Sequence, residues 1–344
     1  MRTSRRAGLL GLLMLVLLVA AVLASAMLGQ LPISPGEIGA AILRALGIPM
    51  GPGDEVIDGT LWAVRFPRIA MTMLVGAALS VAGVAMQAVF GNPLAEPGVV
   101  GISAGAAFGA AVAIALGITG LGIWTTAGFA FLGALGAAAL VYLVARSHGR
   151  TEVVTLLLTG IAVNAFAGAG LALMLFLADT ASREQIVFWQ LGSMGGSRWP
   201  EVGLVLGIVL AAGAVTLGQH RSFDLLALGE RSARHLGVDV ERLRIVTIIA
   251  VALLTGAAVA FVGIISFVGL VVPHLMRMLL GPSHRRLLIA SALGGALLLT
   301  VADLLARTLV TGADLPIGML TSLVGGPFFF WLLFRQRRRS GGWA

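Results

Sequence analysis

The chain has 344 residues, of which 58% are hydrophobic and only 11% charged, and its formal net charge is +8. An ordinary soluble domain carries about 25% charged residues, so this composition excludes a disordered chain and a soluble single-core enzyme. It leaves a polytopic membrane protein with short loops, with enough apolar residues for about ten spans of about 20 each. There is no cysteine, which removes disulfides, thiol nucleophiles and Cys-ligated metal sites. All 23 basic residues are arginine. A P-loop and a Schiff-base enzyme both need a lysine, so any ATP used on behalf of this chain is hydrolysed by another.

Ala7 to Leu28 is an uncharged apolar run preceded by Arg2, Arg5 and Arg6. Ala24-Ser25-Ala26 resembles a signal-peptide cleavage site, but the run exceeds a signal core of about 7–15 residues and reads as a retained first helix. Further spans are predicted at 69–90, 99–118, 121–145, 153–178, 201–218, 245–265, 267–280, 287–305 and 316–334, which makes ten. The 267–280 segment is short and contains Pro273. With both termini on one side, seventeen of the arginines fall on that side and six on the other. The positive-inside rule then places both termini in the cytoplasm, and the high pI reflects topology rather than nucleic-acid binding.

Four connections stand out. Arg65-Phe66-Pro67-Arg68 lies at the outer start of span two, where proline suits a first helical turn and two exposed cations could anchor at the interface or meet an acidic partner. Gly91-Asn92-Pro93-Leu94-Ala95-Glu96-Pro97-Gly98 cannot continue a helix and forms a defined inner turn. The inner segment 219–244 reads as two short amphipathic helices broken near Gly229, either lying on lipid or plugging into a cytoplasmic partner. Leu315-Pro316-Ile317-Gly318 precedes the last span, and Asp303 and Arg307 stand at i and i+4, the spacing of a local salt bridge.

Other chemistry is less well supported. Gly101, Gly105 and Gly109 form a ridge for close helix packing. The same stretch, Gly101-Ile102-Ser103-Ala104-Gly105, matches the serine-hydrolase pattern without its structural context. His274 is a single imidazole and does not define a metal site. No carboxylate occupies a predicted midplane, which disfavours an ion-coupled secondary transporter.

The runs RFPR…GNPLAEPGVVGISAGAAFGA, LALGERSARHLGV, GIISFVGLVVPHLMR and ADLPIGMLTSLVGGPFFFWLL, in this order from about residue 60 to 334, resemble the FecCD-type permeases. These are the membrane subunits of ABC importers for ferric siderophores, haem and vitamin B12. The resemblance implies an all-α, ten-helix, multi-pass permease of the bacterial inner membrane that acts as a transport subunit rather than an enzyme. It implies a second copy of the chain, two cytoplasmic ATPase subunits that hold the ATP, an extracytoplasmic substrate-binding protein, surrounding lipid, no nucleic acid, and no cofactor bound by this chain. Arg65, Arg68 and Arg307 would dock the binding protein. Asn92 and Leu94 would form an inner constriction on a path lined by spans five and ten, with Ala165 and Gly168 among its lining. Leu226, Leu228, Gly229, Glu230, Arg231 and Leu236, within the 219–244 loop, would couple to the ATPase. No metal or catalytic residues are implied. The stretches FWQLGSMGGSRWP and VVPHLMRMLLGPSHR are closer to haem permeases than to the vitamin B12 type, so haem is the first expectation for the cargo, ahead of a ferric siderophore, with vitamin B12 as the alternative.

Overall fold

In hydrocarbon a backbone must satisfy its own hydrogen bonds, and for single segments only the helix does so. The computed structural model describes residues 2–50, 53–147, 150–310 and 312–339, and these are almost entirely helical. Helix α1 spans Arg2–Met27, followed by α2 Pro35–Ala45 and α3 Glu55–Gly59. A π-helical turn, Thr60–Arg65, joins α3 to α4 Phe66–Phe90. A 3-10 turn, Pro97–Val100, leads into α5 Ile102–Ala115 and α6 Ile123–Ala145. Two-residue strands, β1 Arg146–Ser147 and β2 Arg150–Thr151, pair antiparallel. Then come α7 Val153–Leu177, α8 Thr180–Leu191, α9 Trp199–Gly218, α10 His220–Leu226, α11 Glu230–His235, α12 Val240–Val262, α13 Val268–Leu280, α14 His284–Thr308 and α15 Ile317–Arg339.

Seven helices among the described residues are long and apolar enough to cross a membrane, and α5, α13 and α15 supply three shorter apolar stretches. These lie at the ten segments expected from hydropathy. The segment expected at 99–118 is shorter, because Gly101 adopts φ +81° and starts the helix only at Ile102.

Two parts of the outer surface depart from expectation. Span two does not begin at the Arg-Phe-Pro-Arg run; one helical path runs from Glu55 to Phe90, and the run lies inside it. The π turn before Phe66 accommodates Pro67 at the second helical position, where its missing N–H costs little. Helices α2 and α8 were also not anticipated. Ser34 and Glu37 cap α2 reciprocally, with Ser34 N donating to Glu37 Oε2 at 2.7 Å, and Asp179 caps α8 by accepting from Ser182 N at 2.7 Å.

The core is built on α4 and α12, with 78% and 72% of their apolar windows buried, whereas α1 and α7 bury only 17% each. Small residues set how close the helices come. A Cβ on Gly76 of α4 would lie 2.2 Å from the carbonyl oxygen of Gly295 on α14, and one on Gly295 would lie 2.1 Å from Gly76 O. A Cβ on Gly83 would lie 1.8 Å from Gly269 O on α13. Within the predicted ridge, Gly105 meets Gly133 and Gly109 meets Phe129, both on α6, while Gly101 faces Val163 of α7.

The last turn of α1 is part of this assembly. Ser25 and Ala26 are buried and accept hydrogen bonds from Arg307 and Arg65.

Because no side chain fits at Gly83, Gly83→Ala must push α4 and α13 apart at a cost of about 1–3 kcal/mol. The expected result is a thermal midpoint several degrees lower in detergent. Gly136→Ala, where a Cβ meets nothing within 4 Å, should leave the midpoint unchanged.

Candidate functional site

Three clusters of polar residues stand at the ends of the apolar helices. At the outer end, Asp303 of α14 is 1% exposed, and a lone carboxylate there would be costly. Arg68 of α4 answers it, with Nε 3.0 Å and Nη2 2.9 Å from Asp303 Oδ1, and its Nη1 lies 2.6 Å from Asp314 Oδ2. Arg307 completes the pairing at 3.3 Å from Asp303 Oδ2 and donates from Nη2 to Ser25 Oγ at 2.5 Å and Ser25 O at 3.1 Å. Arg65 donates to the carbonyls of Ala26 and Leu31.

The i,i+4 pair expected from sequence thus exists, but it is one edge of a network joining α1, α4, α14 and the segment before α15. Arg65 and Arg68, expected as exposed cations at the start of a helix, are buried. Arg65, Arg68, Arg307 and Asp314 nevertheless line a cavity of about 280 Å³ that also reaches Gly29–Leu31, Thr60 and Val64. With Asp303 behind them, the three arginines and two aspartates leave one positive charge uncompensated.

At the inner end of α4, Gly91 turns left-handed at φ +59° and stops the helix. Asn92 Oδ1 accepts from Leu94 N at 2.9 Å, and Asn92 O accepts from Ala95 N at 3.1 Å. Exposed Asn92 and half-buried Leu94 therefore sit on a rigid turn. Burial pushes the Glu96 carboxyl above its ordinary range. Helix α7 fastens the turn from the side: Asn164 Nδ2 donates to Gly98 O at 3.2 Å, and Gly160 lets Val99 approach so closely that a Cβ would lie 2.2 Å from its carbonyl oxygen. Ala165 and Gly168 share one exposed face of α7 with Leu158 and Ile161. In the sequence Asn164 is legible as a neutral amide within an apolar span, but neither it nor Gly160 was expected to hold the turn.

The inner loop forms α10 and α11, broken at Gly229 with φ +103°. Three polar clamps hold it. Thr247 Oγ1 of α12 donates to Gln219 Oε1 at 2.9 Å. Asp224 Oδ1 accepts from the backbone N–H of His284 at 2.8 Å and lies 2.8 Å from His284 Nδ1. Glu230 pairs with Arg244 of α12 at 2.8 Å and with Arg234 at 2.5 Å. Burial pushes the Glu230 carboxyl up, but the hydrogen bond and charge of Arg244, with the charge of Arg234, outweigh it and hold the group below the usual carboxylate range.

Glu230, expected near the ATPase contact, has its carboxylate engaged within the chain by Arg244 and Arg234. Leu226 is half-buried against the core. Leu228 and Leu236 project, 66% and 59% exposed, and Gly229 and Arg231 are exposed between them.

The model of the FecCD transport family matches residues 17–335. The chain belongs to the FecCD transport family. It is 42% identical over 282 residues to the hemin transport system permease protein HmuU of Yersinia pestis, covering 81% of this chain and 84% of that one. It is 38% identical to the cobalamin import system permease protein BtuC of Halobacterium salinarum, covering 94% and 95%. A solved inward-facing ABC transporter, assigned to the metal-chelate type, superposes with a TM-score of 0.83 at 31% identity, covering 94% of this chain and 98% of that one. The protein is accordingly an integral membrane permease of an ABC importer. Its family works in a dimeric arrangement with separate ATPase subunits, and hydrolysis belongs to them.

Arg68 is a structural partner of a buried carboxylate. Arg68→Ala should destabilise the fold by up to about 3–5 kcal/mol, the cost of breaking a buried ion pair from one side. Arg44→Ala, which breaks a partly exposed pair with Asp58 at 2.6 Å, should cost at most about 1 kcal/mol. Thermal unfolding of the two purified variants measures the difference.

Proposed function

We propose that two copies of this chain enclose a path for an iron-containing chelate, with haem the first cargo, and that ATP hydrolysis by attached subunits opens it. The observation that carries the reading is the exposed face of α7 that bears Leu158, Ile161, Ala165 and Gly168, on the helix whose Asn164 and Gly160 fasten Gly98 and Val99 just after the stiffened Asn92–Leu94 turn. The small residues in this face, Ala165 and Gly168, let the backbone of a second copy come close across an axis. Its small, uncharged lining suits a bulky cargo, since conduction requires weak sites. Haem is favoured by the 42% identity to a hemin permease. Cobalamin is the second reading, because the cobalamin relative matches over 94% of the chain.

An extracytoplasmic binding protein would dock over the cavity beside Arg65, Arg68 and Arg307, whose uncompensated charge calls for an acidic partner and would mainly speed association. The cytoplasmic ATPase would receive the loop, with Leu228 and Leu236 as apolar anchors and the charges of α11 around them, the core-and-rim pattern of interfaces. The chain would sit in the bacterial inner membrane.

Vesicles holding the full complex, each supplied with haem, a ferric siderophore or cobalamin and the matching binding protein, test the cargo. ATP-dependent uptake of haem is expected, and uptake of cobalamin or a siderophore alone would overturn haem while leaving the permease. In the same vesicles Leu228→Glu should abolish uptake at least tenfold without loss of folded protein. Normal uptake by that variant would remove the loop from the ATPase contact.

A further inference from the structure

The outer arginine cluster, the inner turn and the loop of α10 and α11 lie far apart in sequence, yet two helices reach all three. Helix α4 carries Arg68 in its first turn, with Arg65 just before it at the end of the π turn, and stops at Gly91, directly before Asn92 and Leu94. Helix α14 carries Asp303 and Arg307 at its outer end and begins at His284, which is bonded to Asp224 of α10. The two are tied at the outside by Arg68 and Asp303 and meet backbone to backbone at Gly76 and Gly295. From His284 to Asp303 the helix rises about 29 Å at about 1.5 Å per residue. A pair joined in this way cannot slide without separating buried charges and close-packed backbones, so it moves as one body.

We propose that α4 and α14 form a single strut across the membrane and that Asp224 and His284 are the joint fixing the coupling loop to it. Asp224 accepts from both the backbone N–H and Nδ1 of His284, so one carboxylate sets both the position and the ring orientation at the first residue of α14. His284 is 2% exposed and the Phe223 ring lies 5.7 Å from its own, so the imidazole side of the joint is buried, while the Asp224 side chain keeps 40% of its surface exposed. The consequence concerns the reaction cycle: a load applied at the outer arginines reaches the ATPase through this joint, and Asp224 and His284 are positioning residues for stimulated hydrolysis. Packed side chains and rigid helices of this kind carry coupling between distant sites. The inference rests on the importer reading.

The test uses the chain reconstituted in lipid vesicles with its ATPase and binding protein, and reads the ratio of ATPase rates with and without the binding protein. The wild-type ratio should exceed one; a ratio of one would overturn the importer reading itself. Asp224→Ala and His284→Ala should each lower the excess over one at least threefold, with the basal rate held within twofold. His284→Asn, whose amide can donate where Nδ1 does, should keep the wild-type ratio, and the double alanine variant should fall no further than Asp224→Ala, which already loses both bonds.

Because the chain has no cysteine, Asp224→Cys/His284→Cys adds a check on folding. A short reversible thiol cross-linker should restore the ratio, and its cleavage should remove it. A wild-type ratio in both alanine variants, or stimulated and basal rates falling in parallel, would overturn the strut.

Discussion

The close approach of α4 and α14 is the constraint on which the other contacts depend. Two glycines, Gly76 and Gly295, let the backbones touch, and that distance brings Arg68 within ion-pairing range of Asp303. In the membrane there is no hydrophobic force between helices, so association relies on packing and interhelical polar contacts. Here both are supplied along one seam. Ser80 Oγ lies against the same contact, 2.1 Å from where a Gly295 Cβ would stand, so even an alanine is excluded.

Around that seam the helices divide by composition and burial. Helices α4, α12 and α14 form the packed interior, while α7 and the stretch of α1 from Leu9 to Leu23 present apolar side chains outward. The paired carboxylates collect at the helix ends, where buried Asp303 and the partly exposed Glu230 and Asp224 each have a cationic or N–H partner. This placement limits the desolvation that an ion pair at mid-membrane would suffer. It also leaves the middle of α7 uncharged, which suits a surface past which a large molecule slides.

Family membership and geometry meet at the loop. Its two helices are too short to be stable alone, and they hold their shape because Gln219, Asp224 and Glu230 are clamped to α12 and α14. A clamped loop transmits a displacement; a free one absorbs it. The exposed leucines at 228 and 236 are therefore presented by a rigid support rather than a tether.

Composition alone determined that this is a multi-span helical membrane protein. The arginine distribution gave its orientation, the absent lysine excluded its own ATP site, and the ordered motifs gave the family. Hydropathy located the spans because backbone satisfaction in lipid leaves the helix as the outcome wherever a run is long and apolar enough. It did not reveal α2, α8 or the π turn, which are set by caps and tertiary contacts rather than by hydropathy. Nor could it tell that Arg65 and Arg68 turn inward. An arginine beside a proline reads the same whether it faces water or a carboxylate more than two hundred residues away, and only the packing of α14 against α4 brings Asp303 there. Likewise Asn164 was legible as a polar residue in an apolar helix, but its partner, the Gly98 carbonyl, exists only once α7 lies against the turn. Local chemistry is written along the chain, whereas the partners of buried polar groups depend on which helices the glycines allow to touch.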